Sequence, residues 1–216
     1  MPPVLHSLLL LACAYALGSL SGSLLLGRLR GVDIRTQGSG NAGGTNAFRT
    51  QGLKFAAAVV LVDVGKGALA AWLGVRYAPQ AAGYPDATVH GYAAAFAAVL
   101  GHVWPLWHGF RGGKGAATLV GGVLVLWPWV TPLLLAAWVG TILASGYVGL
   151  ATVLAGGALA VAAWWSDAGT PRLWVACAAA LLLLFTHRGN LLRLLRGEES
   201  RFQRARLLHR LWRPRG

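Results

Sequence analysis

Apolar runs dominate the sequence, and the longest can cross a lipid bilayer as a helix. A soluble domain of 216 residues could not bury this much apolar surface, since only 12% of its residues are charged. The pattern predicts an all-α polytopic membrane protein. Seven runs are present, at residues 4–27, 55–78, 91–107, 116–127, 130–144, 148–165 and 173–185.

The first run has the hydrophobicity of an export signal but lacks its flanking charge. No Lys or Arg precedes Arg28, whereas a signal peptide carries a basic segment before its apolar core. Residues 10–13 are faintly similar to a lipoprotein cleavage site, and the same missing charge argues against that interpretation. We therefore expect residues 4–27 to be a retained first span.

The fourth and fifth runs are separated by residues 127–132, which contain Pro128 and Pro132. Joined as one helix, the runs would enclose both prolines, each of which removes a backbone donor and disfavours a straight helix. A hairpin between two separate spans is the alternative. The distribution of basic residues decides between the two.

Sixteen of the 19 Lys and Arg residues lie in only three segments, residues 28–54, 111–114 and 188–216. Cytoplasmic loops collect Lys and Arg, and the hairpin places all three segments on the same side of the membrane. The sequence therefore predicts seven transmembrane helices, with the N-terminus outside and the C-terminus cytoplasmic. The net charge of +13 alone would suggest a nucleic-acid-binding protein, but the hydrophobicity argues against nucleic acid as a partner.

The first basic segment contains glycines interleaved with small polar residues. Glycine adopts positive φ readily, which turns N–H groups toward one point and forms an anion-binding nest. A following arginine offers a planar fork suited to phosphate. A flexible polar connection is the alternative. The candidate binding residues are Gly38, Ser39, Asn41, Gly43, Thr45, Asn46 and Arg49.

The second basic segment places glycines directly before an apolar helix. The N-terminal N–H groups of that helix and its positive dipole end would meet Lys114 at one spot. It is not a Walker loop, because His108 stands where the first glycine belongs and Gly115 follows the lysine. A basic loop that only sets topology is the alternative. The candidates here are His102, Gly112, Gly113, Lys114 and Gly115.

The third basic segment carries His187 and Asn190, whose spacing of three places them on one helical face. A surface histidine with a structural partner is the alternative interpretation. Asp63 and Lys66 have the same spacing inside the second apolar run. Intramembrane charges mark functional sites, but this pair could equally neutralise itself as a structural link.

Neither a metal nor a cofactor is expected. The predicted inner face offers only three carboxylates, Asp33, Glu198 and Glu199, which are too scattered for a magnesium or two-metal site. Cys13 and Cys177 lie inside apolar runs, which argues against disulfide, metal or thioester chemistry. Any bound phosphate must therefore be held by Lys, Arg and backbone groups.

Together the three segments resemble the bacterial acyl-phosphate:glycerol-3-phosphate acyltransferase family of membrane enzymes. Residues 38–46 look like its G-S-G-N-x-G-A-T-N motif, with Gly44 in place of alanine. Residues 101–118 look like its G-H-x-F-P and K-G-G-K-G-V-A-T motif, with Trp104, Arg111 and Ala116 substituted. His187, Asn190 and Glu199 fall in the positions of the third motif, so the resemblance covers residues 17–199.

The resemblance implies a seven-helix enzyme of the bacterial inner membrane, with its active site facing the cytoplasm. It implies the first acylation step of phospholipid synthesis, from acyl phosphate and glycerol 3-phosphate to lysophosphatidate and phosphate, with membrane lipid around the protein and no obligate protein partner. Residues 1–199 would form a single transmembrane catalytic domain and residues 200–216 a basic tail on anionic lipid. The implied catalytic residues are Ser39, Lys114, His187 and Asn190, with the other candidates of the first two segments binding substrate.

Two rival functions use the same features. A transporter or channel for a phosphorylated compound would use the glycine loops as a gate and the Asp63 and Lys66 pair as part of a path. The sequence shows no internal repeat, which argues against an inverted-repeat transporter. A non-catalytic binder of anionic lipid would explain the basic tail but not the glycine loops.

Overall fold

The computed structural model describes residues 1–81, 83–166 and 170–202. This part of the chain contains no β-strand, which confirms the all-α prediction, and has three short 3₁₀ turns, Ile34–Thr36, Leu106–His108 and Pro128–Val130. Most of the predicted basic tail, from residue 203 onward, lies outside the described residues. The helices are α1 (Pro3–Gly18), α2 (Gly22–Leu29), α3 (Gly44–Gln51), α4 (Leu53–Arg76), α5 (Ala87–Val103), α6 (Ala116–Leu126), α7 (Thr131–Ser145), α8 (Val148–Trp165), α9 (Thr170–Thr186) and α10 (Arg188–Leu195).

Each of the seven predicted apolar runs coincides with a helix or with a bent pair of helices. Among the described residues, three helical stretches are long and apolar enough to span a membrane by themselves: Leu53–Arg76, Pro128–Ser145 and Val148–Trp165. The number rises to five if two bent pairs, α1 with α2 and α9 with α10, each form one span. Helix α5 has 17 residues and α6 only 11, so the count of seven spans stays a prediction.

The break predicted between the fourth and fifth apolar runs, at residues 127–132, is present. Helix α6 ends at Leu126, the 3₁₀ turn Pro128–Val130 follows, and α7 begins at Thr131. A proline stands near the start of each new stretch, where its missing N–H removes no intrahelical bond. One continuous helix through these runs is therefore not formed.

The chain divides into two compact units, Met1–Pro128 and residues 129–216. In the first unit α4 packs against α5 and α6, and α1 packs against α5. Glycine makes these contacts close: a Cβ atom on Gly18 would overlap the backbone of Ala98 on α5, and one on Gly67 would overlap that of Thr118 on α6. Small residues at helix contacts are the means by which membrane helices approach one another.

In the second unit α8 lies between α7 and α9, and α10 packs against α8 and α9. The segment after α10 returns to the turn between α7 and α8. The N–H of Phe202 donates to the carbonyl of Gly146 at 2.8 Å, and the guanidinium of Arg201 lies 4.8 Å from the centre of the Tyr147 ring. These contacts bring the end of the third motif against the start of α8.

Candidate active site

The first motif follows the 3₁₀ turn Ile34–Thr36 and folds as a short loop and the first turn of α3. Gly38 and Gly40 have φ of 56° and 72°, as the nest prediction requires. Gly43, at φ −133°, is extended and precedes the helix, so only part of the glycine set uses positive φ. Thr45 and Arg49 are one turn apart on α3 rather than in a loop.

Asn46 is buried and binds the loop that precedes it. Its Oδ1 accepts a hydrogen bond from the N–H of Ser39 at 2.9 Å, and its Nδ2 donates to the carbonyls of Ile34 and Gln37 at 3.1 and 2.9 Å. Three of the four hydrogen bonds that an amide side chain can make are therefore used on this loop. These hydrogen bonds hold the backbone of Ser39 in place, while Ser39 itself is exposed.

The second motif is fastened to the end of α5. The N–H of Gly112 donates to the carbonyl of Val103 at 3.2 Å, and that of Gly113 donates to the carbonyl of His102 at 3.1 Å. Gly115 adopts φ 89° and is the N-cap of α6, and as a glycine it offers no side chain to cap that end of the helix. The first N–H groups of α6 therefore follow Lys114 directly in the chain without a cap from the N-cap residue.

The first and second motifs meet within the first unit. A Cβ atom on Gly113 would lie 2.9 Å from the carbonyl oxygen of Ala42, which shows how closely the two loops approach. The Arg35 side chain ties them further, because its Nη1 donates to the carbonyls of His108 and Arg111 at 3.0 and 3.3 Å. The tertiary structure thus places two glycine-rich, basic loops next to each other.

Asp33 orients the Arg35 side chain that joins the loops. Its carboxylate accepts from Arg35 Nε at 3.0 Å and from Nη2 at 2.8 Å. These hydrogen bonds lower the pKa of Asp33 and raise the pKa of Arg35 from their ordinary values. The carboxylate is consequently paired and does not oppose a bound anion as a bare charge.

His108 lies beside this pair in the 3₁₀ turn Leu106–His108. Its Nε2 is buried and has no hydrogen-bond partner among the described residues. Burial, together with the positive charges of Arg28 and Arg35, lowers the pKa of His108 below its ordinary value. The folded protein therefore favours the neutral imidazole.

Beneath the second motif lies a buried cluster formed by Asp63, Lys66 and His102. Lys66 Nζ is 3.1 Å from Asp63 Oδ1 and 2.8 Å from His102 Nδ1. Asp63 and Lys66 are thus an ion pair, but the pair extends to a candidate site residue 36 positions further along the chain. The spacing of three predicted the pair, and nothing in the sequence predicted its histidine partner.

The third motif lies in the second unit. His187 is buried, and its Nδ1 is 2.8 Å from the carbonyl oxygen of Leu183, which can only accept. Nδ1 therefore carries a proton, and Nε2 is the nitrogen with the lone pair in the neutral ring. Asn190 donates from Nδ2 to Glu199 Oε1 at 2.6 Å.

Glu199 is the centre of this second group. Its other carboxylate oxygen accepts from Arg193 Nε at 2.8 Å, and its side chain is only 6% exposed. Glu199 belongs to the third motif, but the sequence pattern predicted no role for it. Its geometry shows that one carboxylate orients both the asparagine and an arginine of α10.

The described residues contain no group of three or more His, Cys, Asp or Glu side chains placed to hold a metal ion. Cys13 and Cys177 are free thiols.

A model of the glycerol-3-phosphate acyltransferase family matches residues 8–197 of the chain. The chain belongs to this family. The match covers the first two motifs and His187 and Asn190 of the third, ends two residues before Glu199, and confirms the resemblance that the motifs indicated. The chain is an acyltransferase, and the transporter or channel alternative is not favoured.

Curated relatives extend over nearly the whole chain. A glycerol-3-phosphate acyltransferase of Anaeromyxobacter dehalogenans (strain 2CP-C) is 41% identical over 206 residues, which cover 93% of this chain and 100% of the relative. One from Shewanella baltica (strain OS155) is 38% identical over 208 residues, which cover 95% of this chain and 98% of the relative. Both relatives are named glycerol-3-phosphate acyltransferase, and the similarity extends over at least 98% of each.

Two solved structures share the fold. One is PlsY (YgiH), an integral membrane glycerol 3-phosphate acyltransferase, in its glycerol 3-phosphate form, with a TM-score of 0.83, 33% identity and coverage of 96% of this chain and 99% of that chain. The other is its lysophosphatidic acid form, with a TM-score of 0.82, 33% identity and coverage of 94% and 98%. The acyltransferase described here is accordingly a membrane protein.

Sequence reasoning on this acyltransferase missed the residues that connect its motifs. Arg35 was counted only as a topological charge, and Asp33 only as a carboxylate too isolated for a metal. The contacts of Arg35, which Asp33 orients, reach residues 73 and 76 positions away. The one local signal was the close spacing of Asp33 and Arg35, which suits a salt bridge but does not indicate its neighbours.

Proposed function

We propose that the chain transfers a fatty acyl group from acyl phosphate to the 1-hydroxyl of glycerol 3-phosphate, releasing lysophosphatidate and inorganic phosphate. The hydroxyl oxygen attacks the acyl carbonyl carbon, a new C–O ester bond forms, and the bond from that carbon to the phosphate oxygen breaks. The hydroxyl proton passes to His187 or to a substrate phosphate. Because phosphate is a good leaving group, positioning and charge stabilisation supply much of the catalysis.

The observation that carries this proposal is the meeting of two glycine-rich basic loops in the first unit. Both substrates contain phosphate, and each loop leads into a helix whose first N–H groups favour an anion, α3 after Gly43 and α6 after Gly115. Asp33, a carboxylate at this junction, is neutralised by Arg35. Two adjacent phosphate sites would hold the leaving group of the donor and the acceptor near one carbonyl carbon.

The individual roles follow from the chemistry of each group. We assign glycerol phosphate orientation and charge stabilisation to Ser39, Arg49, Lys114, His187 and Asn190. The acyl-phosphate head group is assigned to Thr45, Gly112 and Gly113, with Gly38, Asn41, Gly43, His102 and Gly115 completing the binding surface. Asn46 supports the same head group by holding the loop, because its amide is engaged with backbone. The parts of His187 and Asn190 are proposed from the motif resemblance alone.

For the membrane arrangement we retain seven spans, an outer N-terminus and a cytoplasmic C-terminus in the bacterial inner membrane. The support is the clustering of Lys and Arg in three segments that carry the three motifs. Trp129, Trp164 and Trp174 are strongly exposed on the protein surface, as expected for indole rings at the outer interface. Residues 1–199 would then act as one catalytic domain with its site on the cytoplasmic side, followed by a basic tail at 200–216.

The test is turnover by the full chain, purified in detergent, with palmitoyl phosphate and glycerol 3-phosphate. We expect lysophosphatidate and inorganic phosphate to appear in equal amounts, and neither to appear when glycerol 3-phosphate is omitted. A palmitoyl thioester in place of palmitoyl phosphate should give no product, because the proposed site recognises a phosphate leaving group. Absence of turnover in a folded, monodisperse sample would contradict the proposal, and equal turnover with the thioester would contradict the assigned donor.

A further inference from the structure

We propose that Asp63, Lys66 and His102 form a positioning network for the second motif. The network stabilises the break between α1 and α2 and fixes the imidazole against which the Gly112 and Gly113 turn is built. This inference rests on the proposed function of that turn as a phosphate site. The three residues are positioning residues because they act through the turn; only the far side of the imidazole faces it.

The break between α1 and α2 exposes backbone groups that the network satisfies. The two helices are bent by 46° across residues 19–21, where carbonyls lose their intrahelical partners. Lys66 Nζ donates to the carbonyls of Gly18 and Leu20 at 2.8 and 3.0 Å, and the N–H of Gly22 donates to Asp63 Oδ1 at 3.1 Å. Within a membrane no water replaces such partners, so these two side chains make the break stable.

The same lysine sets the protonation pattern of His102. The Lys66 ammonium has three N–H donors and four partners, of which His102 Nδ1 and the Gly18 carbonyl are the nearest, each at 2.8 Å. An ammonium cannot accept a hydrogen bond, so at this distance the His102 Nδ1 is the acceptor. Asp63 Oδ1 lies further from Nδ1, at 3.4 Å. The neutral ring consequently carries its proton on Nε2, the nitrogen on the side away from the lysine.

The Nε2 side of His102 faces the second motif. A Cβ atom on Gly113 would overlap His102 Nε2, and one on Gly112 would overlap the His102 carbonyl oxygen, so the turn is built directly on this residue. Ser19, at the break between α1 and α2, also contacts the chain just before the turn: its Oγ accepts a hydrogen bond from the N–H of Leu106 at 3.2 Å. The path therefore runs from the helix break through Lys66 and His102 to the turn, and it presents an Nε2–H donor there.

The experiment separates the two sides of the imidazole. In His102→Asn, the amide oxygen stands near the place of Nδ1 and can still accept from Lys66, while the distal N–H is lost. The double variant Asp63→Asn/Lys66→Met leaves no unpaired charge. It removes the ammonium that donates to His102 Nδ1 and to the carbonyls of Gly18 and Leu20. Lys54→Met is the matched control, because Lys54 is an exposed lysine on the same helix. Each full-length variant is assayed in detergent beside the wild type.

Two measurements are made. The first is the ¹⁵N spectrum of ring-labelled histidine in the wild type. The signal that is absent from the spectrum of His102→Asn identifies the His102 ring among the six histidines. We expect the Nε2–H tautomer in the wild type, and an Nδ1–H tautomer would overturn the inference. The second is kcat/KM for palmitoyl phosphate and glycerol 3-phosphate together with the unfolding midpoint.

We expect His102→Asn to lose about tenfold in kcat/KM, because the turn loses the ring on which it is built, with a smaller fall in unfolding midpoint than the double variant. The double variant should lose at least as much activity and unfold at a lower temperature, while Lys54→Met matches the wild type. Wild-type turnover in both network variants would overturn the inference and leave the proposed function intact. Absence of turnover in the wild type would instead contradict the proposed function, and the tautomer would still test the network.

Discussion

The side chain of Asn46 holds the backbone of Ser39 in place, with Oδ1 accepting the Ser39 N–H at 2.9 Å. Ser39 is exposed, whereas Asn46 is buried and is also bonded to the carbonyls of Ile34 and Gln37. The first motif therefore contains a residue that presents chemistry and a residue that shapes the loop.

Asn46→Asp should unfold at a lower temperature and lose most of its activity. The carboxylate keeps the acceptor for Ser39 but loses both donors, and its charge then faces two carbonyl oxygens. Each bond to a buried partner contributes about 1–3 kcal/mol when the partner is left unsatisfied. Thermal unfolding in detergent and initial rates measure the two effects. Thr36→Ala is the comparison from the same segment: it removes one exposed hydrogen bond to the Asp33 carbonyl, and both effects should be much smaller.

Gly113→Ala should fold and reach the membrane but lose at least about tenfold in kcat/KM. The added methyl group would overlap the His102 ring and lie 2.9 Å from the Ala42 carbonyl oxygen, so one of the two loops must move. Gly140→Ala provides the control, because a Cβ atom there meets no other atom within 4 Å. Equal rates for the two alanine variants would show that the junction of the loops does not matter for catalysis.

Lys114→Ala should lose most activity while the protein still inserts into the membrane. The lysine lies two residues before the start of α6, where we propose that its charge and the helix N-terminus hold a phosphate together. The comparison is with Lys54→Ala, which removes an equal charge from an exposed position on α4. Membrane fractionation and steady-state rates are the measurements. A fully active Lys114→Ala would mean that the second loop serves only topology.

His187→Ala tests the route of the hydroxyl proton. The Nδ1–H bond to Leu183 leaves Nε2 as the basic nitrogen, which is the geometry of a general base. If the histidine takes the proton, kcat should fall by about 10²–10⁴-fold. Full activity of the variant would remove the histidine from this role and leave a substrate phosphate as the acceptor. His187→Asn separates loss of the base from loss of packing.

His108 predicts a loss of stability on mild acidification. Its pKa is lowered in the folded state, so the unfolded chain binds the proton more readily. The stabilisation is complete above the unfolded value of about 6.5 and is lost as the pH falls through the folded pKa. Between pH 8 and pH 5 the wild-type unfolding midpoint should therefore fall more than that of His108→Gln. Parallel curves for the two proteins would contradict this prediction.

Local sequence was sufficient for the fold class and the family. Apolar runs, proline positions and the motifs are short-range features, and helices satisfy their backbone hydrogen bonds within one segment. The all-α fold, the break after Leu126 and the family membership followed from these features. The pairing of Asp63 with Lys66 followed as well, because residues three apart share a helical face.

The connections between segments were decided by the tertiary structure. The carbonyls that Arg35 binds and the ring that Lys66 orients lie tens of positions away in the chain. The same is true of the partners of the backbone groups left unpaired at the break between α1 and α2. Composition identified glycines and charges suited to phosphate, but it could not distinguish Asn46, which shapes the loop, from Ser39, which is presented by it. That distinction depends on the direction of each side chain, and direction is set only when the helices pack.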